Sequence, residues 1–342
     1  MCQTSNSLST IANCVICLNV SDLANQTMTA LQTEGLTKRY GSLVAVDHLT
    51  LEVYEGEIFG FLGPNGAGKT TSINLMCGLL KPDSGQVFIR GKPIAGPAAQ
   101  ARAKVGVCPQ DIILWERLTC LEQLQFVGEM YGLTRQEARR NGKQLLDLME
   151  LSEKQDQLAR TLSGGMRRRL NLILALVHEP EIVVLDEPEA GLDPQSRMLV
   201  RDFIRSLARS KTVILTTHNM DEAERVADRV AILDRGQLLV LDTPGALKRC
   251  AGEGDVLEIG VDGSPQGWEE RCLEEMITPS EGRMIFDAEN GLLTIRVHNA
   301  VAKLPGILHL LEAAGYKPRD IRLRENTLED VFIQLTGRRL RE

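Results

Sequence analysis

Residues 63–71 read Gly-Pro-Asn-Gly-Ala-Gly-Lys-Thr-Thr and follow the apolar run at residues 58–62. The stretch matches the pattern G-x-x-x-x-G-K-[ST], and a preceding strand is the context that makes this match credible. Glycines at this spacing allow backbone N–H groups to point at phosphate oxygens, and the N-terminus of the next helix adds its partial positive charge. The alternative is a glycine-rich turn with a chance lysine. We predict a phosphate-binding loop that consists of Gly63, Pro64, Asn65, Gly66, Ala67, Gly68, Lys69, Thr70 and Thr71.

Two side chains of this loop are expected to carry its chemistry. A lysine in this place reaches the β- and γ-phosphates of a nucleoside triphosphate, and the hydroxyl of the next residue binds Mg²⁺. We therefore predict Lys69 as a catalytic and binding residue and Thr70 as a ligand of Mg²⁺.

Polar residues also follow two other apolar runs. Asp186 and Glu187 come after residues 182–185, and His218 comes after residues 212–217. Continuous apolar runs indicate strands of a parallel sheet covered on both faces, and such sheets bind ligands at the carboxyl ends of their strands. We predict Asp186 as a Mg²⁺ anchor, Glu187 as the general base or orienter of the attacking water, and His218 as a donor to the γ-phosphate. The alternatives are a solvated Asp-Glu turn and a structural histidine.

A helical insert is predicted between the phosphate loop and the segment Ser163-Gly164-Gly165. Thr119 with Glu122 and Thr134 with Glu137 have the spacing of capping boxes ahead of apolar runs. Ser163 fits the N-cap of a further helix.

The combination of these segments, in this order, resembles the ATP-binding subunits of ABC transporters. Their signature Leu-Ser-Gly-Gly-Gln corresponds to residues 162–166, and the resemblance covers roughly residues 30–245. It implies an α/β fold of the P-loop NTPase (ABC ATPase) type with a helical subdomain at about residues 111–178, and ATP hydrolysis with ATP and Mg²⁺ as cofactors.

The resemblance also implies roles for residues outside the loop. Tyr40 resembles the aromatic residue that stacks on adenine, and Gln110 resembles the glutamine that touches Mg²⁺ and senses the membrane subunit. Asp193 resembles the aspartate that crosses the dimer interface, and Ser163, Gly164 and Gly165 resemble the segment that closes over the partner's ATP. The local alternatives are a core tyrosine, a surface glutamine and a helix-capping aspartate.

Two residues depart from the common family pattern. Met166 replaces the signature glutamine, which resembles the variant Leu-Ser-Gly-Gly-Met-x-Arg-Arg-Leu of drug and polysaccharide exporter subunits of the daunorubicin-resistance and nodulation type. Glu189 stands where the family more often has Thr or Ser, and we expect its carboxylate to raise a neighbouring pKa by like-charge repulsion.

Composition limits the expected partners. The chain has 46 acidic and 39 basic residues, without the basic excess common in nucleic-acid-binding proteins. No apolar run approaches the roughly 20 residues of a transmembrane helix. We expect a separate membrane-spanning permease subunit, a second copy of the chain in a homodimer, no nucleic acid, and a location at the cytoplasmic face of the membrane with reduced thiols. The alternative is a non-transport ABC ATPase that acts on DNA or ribosomes.

The domain limits follow from changes in pattern. Residues 28–250 are predicted to form the ATP-binding domain and residues 251–342 an accessory domain of α+β, ferredoxin-like fold, with the order βαββαβ. Strands are predicted at residues 255–261 and 319–323, and a hairpin of two strands at residues 284–297. Helices are predicted at residues 268–276, 300–314 and 327–335. Residues 1–27 are expected to be a disordered tail, with Met28 as an alternative start, and a zinc site at Cys14 and Cys17 is disfavoured because further ligands are absent nearby. The ending Thr327-Leu328-Glu329-Asp330-Val331-Phe332 resembles that of the same exporters.

Overall fold

The computed structural model describes residues 28–94, 104–250, 255–262, 282–287, 291–297, 300–313 and 315–337. The expectations for residues 1–27, including the Cys14 and Cys17 pair, and for the helix at residues 268–276 lie outside these ranges. The chain divides into two compact units between Pro244 and Gly245. The predicted limit at residue 250 lies further along the chain, because most of the helix Pro244–Cys250 belongs to the second unit.

A six-stranded sheet forms the centre of the first unit. Its order is β10-β9-β3-β8-β7-β6, with β3 at Ile58–Leu62, β6 at Val105–Cys108, β7 at Ile182–Asp186, β8 at Thr212–Thr217, β9 at Arg229–Asp234 and β10 at Gln237–Asp242. The strands from β9 to β6 pair in parallel, and only β10 is antiparallel to its neighbour. Every residue of β3, β7 and β8 is buried, which confirms the strands predicted from apolar runs.

A second, antiparallel sheet packs on the same core. It has the order β2-β1-β4-β5, with β1 at Thr29–Tyr40, β2 at Leu43–Tyr54, β4 at Ser84–Ile89 and β5 at Lys92–Pro93. Leu36 and Val53 of this sheet share one buried cluster with Phe59 and Phe61 of β3 and with Ile73 of helix α1 (Lys69–Met76). The pattern of the sequence did not predict this sheet as a separate layer.

The helical insert contains α2 (Cys120–Met130) and α3 (Arg135–Leu148), and it leads to α4 (Gly164–Leu174). Both predicted capping boxes are formed, and they begin α2 and α3. Close packing of these two helices requires Gly128, since a Cβ there would lie 2.7 Å from the Cβ of Ala138. Two further α-helices in the described part of the first unit are α5 (Pro194–Leu207) and α6 (Met220–Val226).

The second unit contains α7 (Pro244–Cys250) and a four-stranded antiparallel sheet of order β12-β13-β11-β14. The strands are β11 (Asp255–Asp262), β12 (Gly282–Asp287), β13 (Leu292–Val297) and β14 (Lys317–Arg324). Helix α8 (Ala300–Ala313) covers one face through Ile307 and Leu311, and α9 (Leu328–Thr336) begins with a capping box between Thr327 and Asp330. Within the described ranges, no helix has the length and hydropathy needed to cross a membrane.

Candidate functional site

Four adjacent strands of the central sheet carry the predicted motifs at one edge. The phosphate loop follows β3, His218 follows β8, Asp186 ends β7 and is followed by Glu187, and Gln110 comes after β6. Because β3, β8, β7 and β6 are neighbours and run in parallel, their carboxyl ends meet at the same edge of the sheet. This topology places residues far apart in the sequence at one site.

The phosphate loop depends on two of its glycines for its shape. Gly63 and Gly68 have φ angles of +154° and +99°. A Cβ at Gly63 would lie 2.3 Å from the carbonyl oxygen of Leu233, and one at Gly68 would lie 2.3 Å from that of Ala45. Helix α1 begins after Gly68 without a side-chain cap, so its first N–H groups remain available to an anion.

Lys69 lies in the fold of this loop with only 6% of its surface exposed. Its Nζ donates to the carbonyl oxygens of Gly63, at 2.7 Å, and Pro64, at 3.1 Å. Burial lowers the pKa of the ammonium group, while the carboxylates of Glu187 and Asp186 act in the opposite direction. A cation with this little solvation, next to a turn of N–H groups, is suited to bind a polyphosphate.

Asp186 joins the loop to the end of β8. The hydroxyl of Thr70 donates to Asp186 Oδ2 at 3.0 Å, and the hydroxyl of Thr216 donates to Oδ1. Mg²⁺ prefers oxygen ligands and is commonly held by one or two carboxylates together with substrate phosphates and water. The adjacent hydroxyl and carboxylate of Thr70 and Asp186 fit that ion.

Glu187 and His218 form a hydrogen-bonded pair across β7 and β8. His218 Nδ1 lies 2.8 Å from Glu187 Oε1, and both residues line a cavity of about 190 Å³. Glu187 has a φ angle of +49°, a left-handed conformation that costs a non-glycine residue about 1–3 kcal/mol. Its N–H donates to the carbonyl oxygen of Thr216, at 3.1 Å, and to the Thr216 hydroxyl, at 3.0 Å.

Tyr40 and Gln110 lie on the surface. Tyr40 is at the end of β1 with 51% of its surface exposed, so it is not a core tyrosine. Gln110 is exposed, and among the described residues its side chain forms no hydrogen bond with Thr70 or Asp186. Its main-chain carbonyl instead accepts a hydrogen bond from Arg168.

The signature segment lies beside Asp193 of the same chain. Ser163 caps α4 by accepting from the N–H of Met166 at 3.3 Å, as predicted. A Cβ at Gly165 would lie 3.6 Å from Asp193 Oδ2. Asp193 itself caps α5 by accepting from the N–H of Ser196 at 3.0 Å, and hydrogen bonds from Ser196 lower the pKa of its carboxyl. The local alternative for Asp193, a helix cap, is therefore present in the single chain.

Glu189 is buried and paired. Arg201 donates to it through Nη2, at 2.9 Å, and Nε, at 3.3 Å, a bidentate ion pair that compensates most of its charge. The expected like-charge repulsion acts on Glu222, whose pKa is raised first by burial and second by Glu189. The sequence did not indicate this arginine partner.

Arg168 is a residue of the site that the motifs did not identify. It lies on α4 with 3% of its surface exposed, and its guanidinium contacts the segments that contain Gln110 and Glu187. Its position in the run Arg167-Arg168-Arg169 is the only signal in the sequence, and that run also fits an ordinary basic helix.

Known proteins are similar to this chain over most of its length. Residues 46–190 match the family described as ABC transporter. The Nod factor export ATP-binding protein I of Ralstonia nicotianae is 38% identical over 91% of this chain and 95% of its own. The linearmycin resistance ATP-binding protein LnrL of Bacillus subtilis is 34% identical, and the daunorubicin resistance ATP-binding protein DrrA3 of Streptomyces coeruleorubidus is 37% identical. These two alignments cover 91% and 92% of this chain, and 100% and 98% of the relatives.

Solved structures agree with the fold of the first unit. An ATP-binding subunit of an ABC transporter has a TM-score of 0.60 at 29% identity and covers 65% of this chain and 92% of its own. The cbiO1 protein of Clostridium perfringens, part of the transporter complex cbiONQ, has a TM-score of 0.59 at 26% identity, with 64% and 90% covered. The phosphate loop, the edge carboxylates and this similarity together show that the chain belongs to the ATP-binding subunits of ABC transporters, which are ATPases coupled to transport.

Proposed function

We propose that two copies of this ABC exporter subunit bind two ATP molecules between them, with the phosphate loop of one copy facing the Ser163-Gly164-Gly165 segment of the other. The observation that carries this proposal is the separation of the motifs within one chain. The loop, Asp186, Glu187 and His218 meet at one sheet edge, whereas the signature segment has Asp193 and Ser196 as its neighbours. One chain therefore supplies two incomplete halves, and ATP binding favours the closed dimer because it contacts both.

In this proposal, Thr70, Asp186 and Gln110 would hold Mg²⁺. The ion would supply compensation for the negative charge of the phosphates. Lys69 binds the same phosphates, and Tyr40 stacks on the adenine.

Glu187 orients and deprotonates the attacking water, and His218 holds the Glu187 carboxylate through Nδ1. With Glu187 ionised, this contact requires a proton on Nδ1, so a hydrogen bond from Nε2 to the γ-phosphate requires the doubly protonated imidazole.

Gly164 provides a test of the dimer. It lies in the first turn of α4, its φ angle is not positive, and a Cβ added there would have no other atom within 4 Å. Neither backbone conformation nor packing in the single chain requires glycine there. Gly164→Leu is expected to leave the monomer folded but to weaken ATP-dependent dimerisation at least about tenfold, or 1.4 kcal/mol, measured by sedimentation velocity.

A suitable control is Gly245→Leu, which alters a glycine in the first turn of α7. It should dimerise like the parent chain. Normal ATP-dependent dimerisation of Gly164→Leu would contradict the proposed interface.

The helical insert has an apolar surface that we propose as the docking face for the permease, at the cytoplasmic side of the membrane. Ile113, Trp115, Phe126, Met130 and Tyr131 are between 41% and 68% exposed. The rings of Trp115 and Phe126 pack edge to face at 5.3 Å. Exposed apolar clusters of this kind mark interaction surfaces.

Isolation of the native complex from membranes tests this assignment. We expect the chain to copurify with a membrane-spanning subunit, identified by mass spectrometry, and Phe126→Glu to abolish that copurification. Val301→Glu, at an exposed apolar residue of α8, should retain it. Copurification with ribosomes or DNA in place of a membrane protein would contradict the proposal.

For the second unit we propose a ferredoxin-like fold. The described strands form an antiparallel sheet in which the fourth strand, β14, lies beside the first, β11, and the second and third form a hairpin. This order suits a βαββαβ chain.

A further inference from the structure

Arg168 is a buried cation at the meeting point of three chain segments. Its five N–H groups all donate to main-chain carbonyl oxygens. Nε donates to Pro188 at 3.3 Å, Nη1 to Pro109 at 3.2 Å and to Gln110, and Nη2 to Asp186 at 2.8 Å and to Glu187. The hydrogen-bonding capacity of the guanidinium is thus fully used.

The acceptors of Arg168 are unusual for a buried charge. Arginine with 3% exposure is ordinarily paired with a carboxylate, but the hydrogen bonds of this guanidinium in the described structure all go to carbonyl dipoles. The planar fork of arginine fixes the directions of these carbonyls relative to one another, which a flexible lysine does not do. The arrangement therefore specifies backbone geometry.

The backbone in question is that of Glu187. Three of the carbonyls belong to Asp186, Glu187 and Pro188, which are consecutive residues around the left-handed conformation at Glu187. The other two belong to Pro109 and Gln110, and both accept from Nη1. Arg168 thus helps to hold a backbone conformation that costs a non-glycine residue about 1–3 kcal/mol.

We infer that Arg168 is a positioning residue for ATP hydrolysis, which keeps the Glu187 main chain left-handed and thereby directs the Glu187 carboxylate towards His218 and the attacking water. The inference rests on the proposed role of Glu187. Arg168 does not contact ATP in this assignment, so its loss affects turnover more than nucleotide binding.

The test compares Arg168→Gln with Glu187→Gln and with the double variant, in the full chain. Arg168→Gln is expected to lower kcat about 10- to 100-fold, with KM for ATP within about threefold of the parent value. In the Glu187→Gln background the same substitution should lower the residual turnover, measured with radiolabelled ATP, by less than about threefold, because both changes act through one residue.

Arg169→Gln is the matched control. Arg169 is the next residue of α4, is also buried, and donates to the Met149 carbonyl oxygen at 2.7 Å in the helical insert. It should retain most of the parent kcat. Arg168→Lys keeps the positive charge but has fewer N–H donors. It replaces Arg168→Gln in the test if the glutamine variant does not fold. It should show the same loss in kcat with a preserved KM for ATP.

Several results would overturn the inference. One is an Arg168→Gln variant, or a folded Arg168→Lys variant, with the parent kcat, while Glu187→Gln is impaired. A second is an equal loss of kcat in Arg169→Gln, which would show a general effect on α4, and a third is full additivity in the double variant. Undiminished turnover in Glu187→Gln would overturn the role of Glu187 as well.

Discussion

Glu187→Gln is expected to lower the turnover number for ATP by about 10²- to 10⁴-fold, the usual contribution of a general base. The amide keeps the shape of the side chain but accepts a proton poorly, so water is no longer activated. ATP affinity is expected to change little, because the charges that bind phosphate come from Lys69 and the loop N–H groups. An assay of inorganic phosphate released over time measures kcat, and titration with a fluorescent nucleotide analogue measures Kd.

The same substitution should also trap the closed dimer, because hydrolysis is the step that opens it. The control is Glu189→Gln, which neutralises a second buried carboxylate two positions along the chain. Glu189 is held by Arg201, so this change should affect the stability of the fold more than turnover. Equal losses of turnover in the two variants, or a Glu187→Gln variant that hydrolyses ATP normally, would refute the assigned role.

Local patterns were sufficient to predict the parts of the site that each depend on one segment. The phosphate loop has its own glycine spacing, and β7 and β8 are apolar throughout because both faces are covered. The capping boxes at Thr119 and Thr134 involve residues three positions apart. Parallel pairing of these strands then brings Asp186, Glu187 and His218 to one edge.

Contacts between distant segments could not be predicted in this way. Arg168 binds carbonyl groups, which every residue has, and its acceptors at residues 109 and 110 lie 59 and 58 positions away. The pair of Glu189 and Arg201 depends on how α5 packs against the loop that precedes it. The antiparallel sheet of the first unit requires β1 to pair with both β2 and β4, a choice that alternation of apolar residues alone does not decide.

Lys69→Ala is expected to weaken ATP binding by about 30- to 4,000-fold, since removing one partner of a buried charge pair typically costs about 2–5 kcal/mol and each 1.4 kcal/mol is tenfold in Kd. Two effects act in the same direction. The phosphates lose the ammonium group. The Asp186 carboxylate, which contacts Thr70 of the loop, also loses a nearby positive charge that offsets its repulsion of an anion. Titration with a fluorescent ATP analogue in the presence of Mg²⁺ measures the change.

Lys211→Ala is a close control, because Lys211 resembles Lys69 in the effect of burial on its pKa and in its hydrogen bond to a main-chain carbonyl but lies at another place in the sheet. Its pKa is also lowered chiefly by burial, and its Nζ donates to the carbonyl oxygen of Pro180 at 2.8 Å. It precedes β8, however, and therefore lies at the amino ends of the parallel strands, away from the phosphate loop. If ATP binding depended only on a desolvated lysine in this domain, both variants would lose affinity. Loss in Lys69→Ala alone would show that the carboxyl-end edge of the sheet determines where the nucleotide binds, and retained affinity in Lys69→Ala would refute the loop as its site.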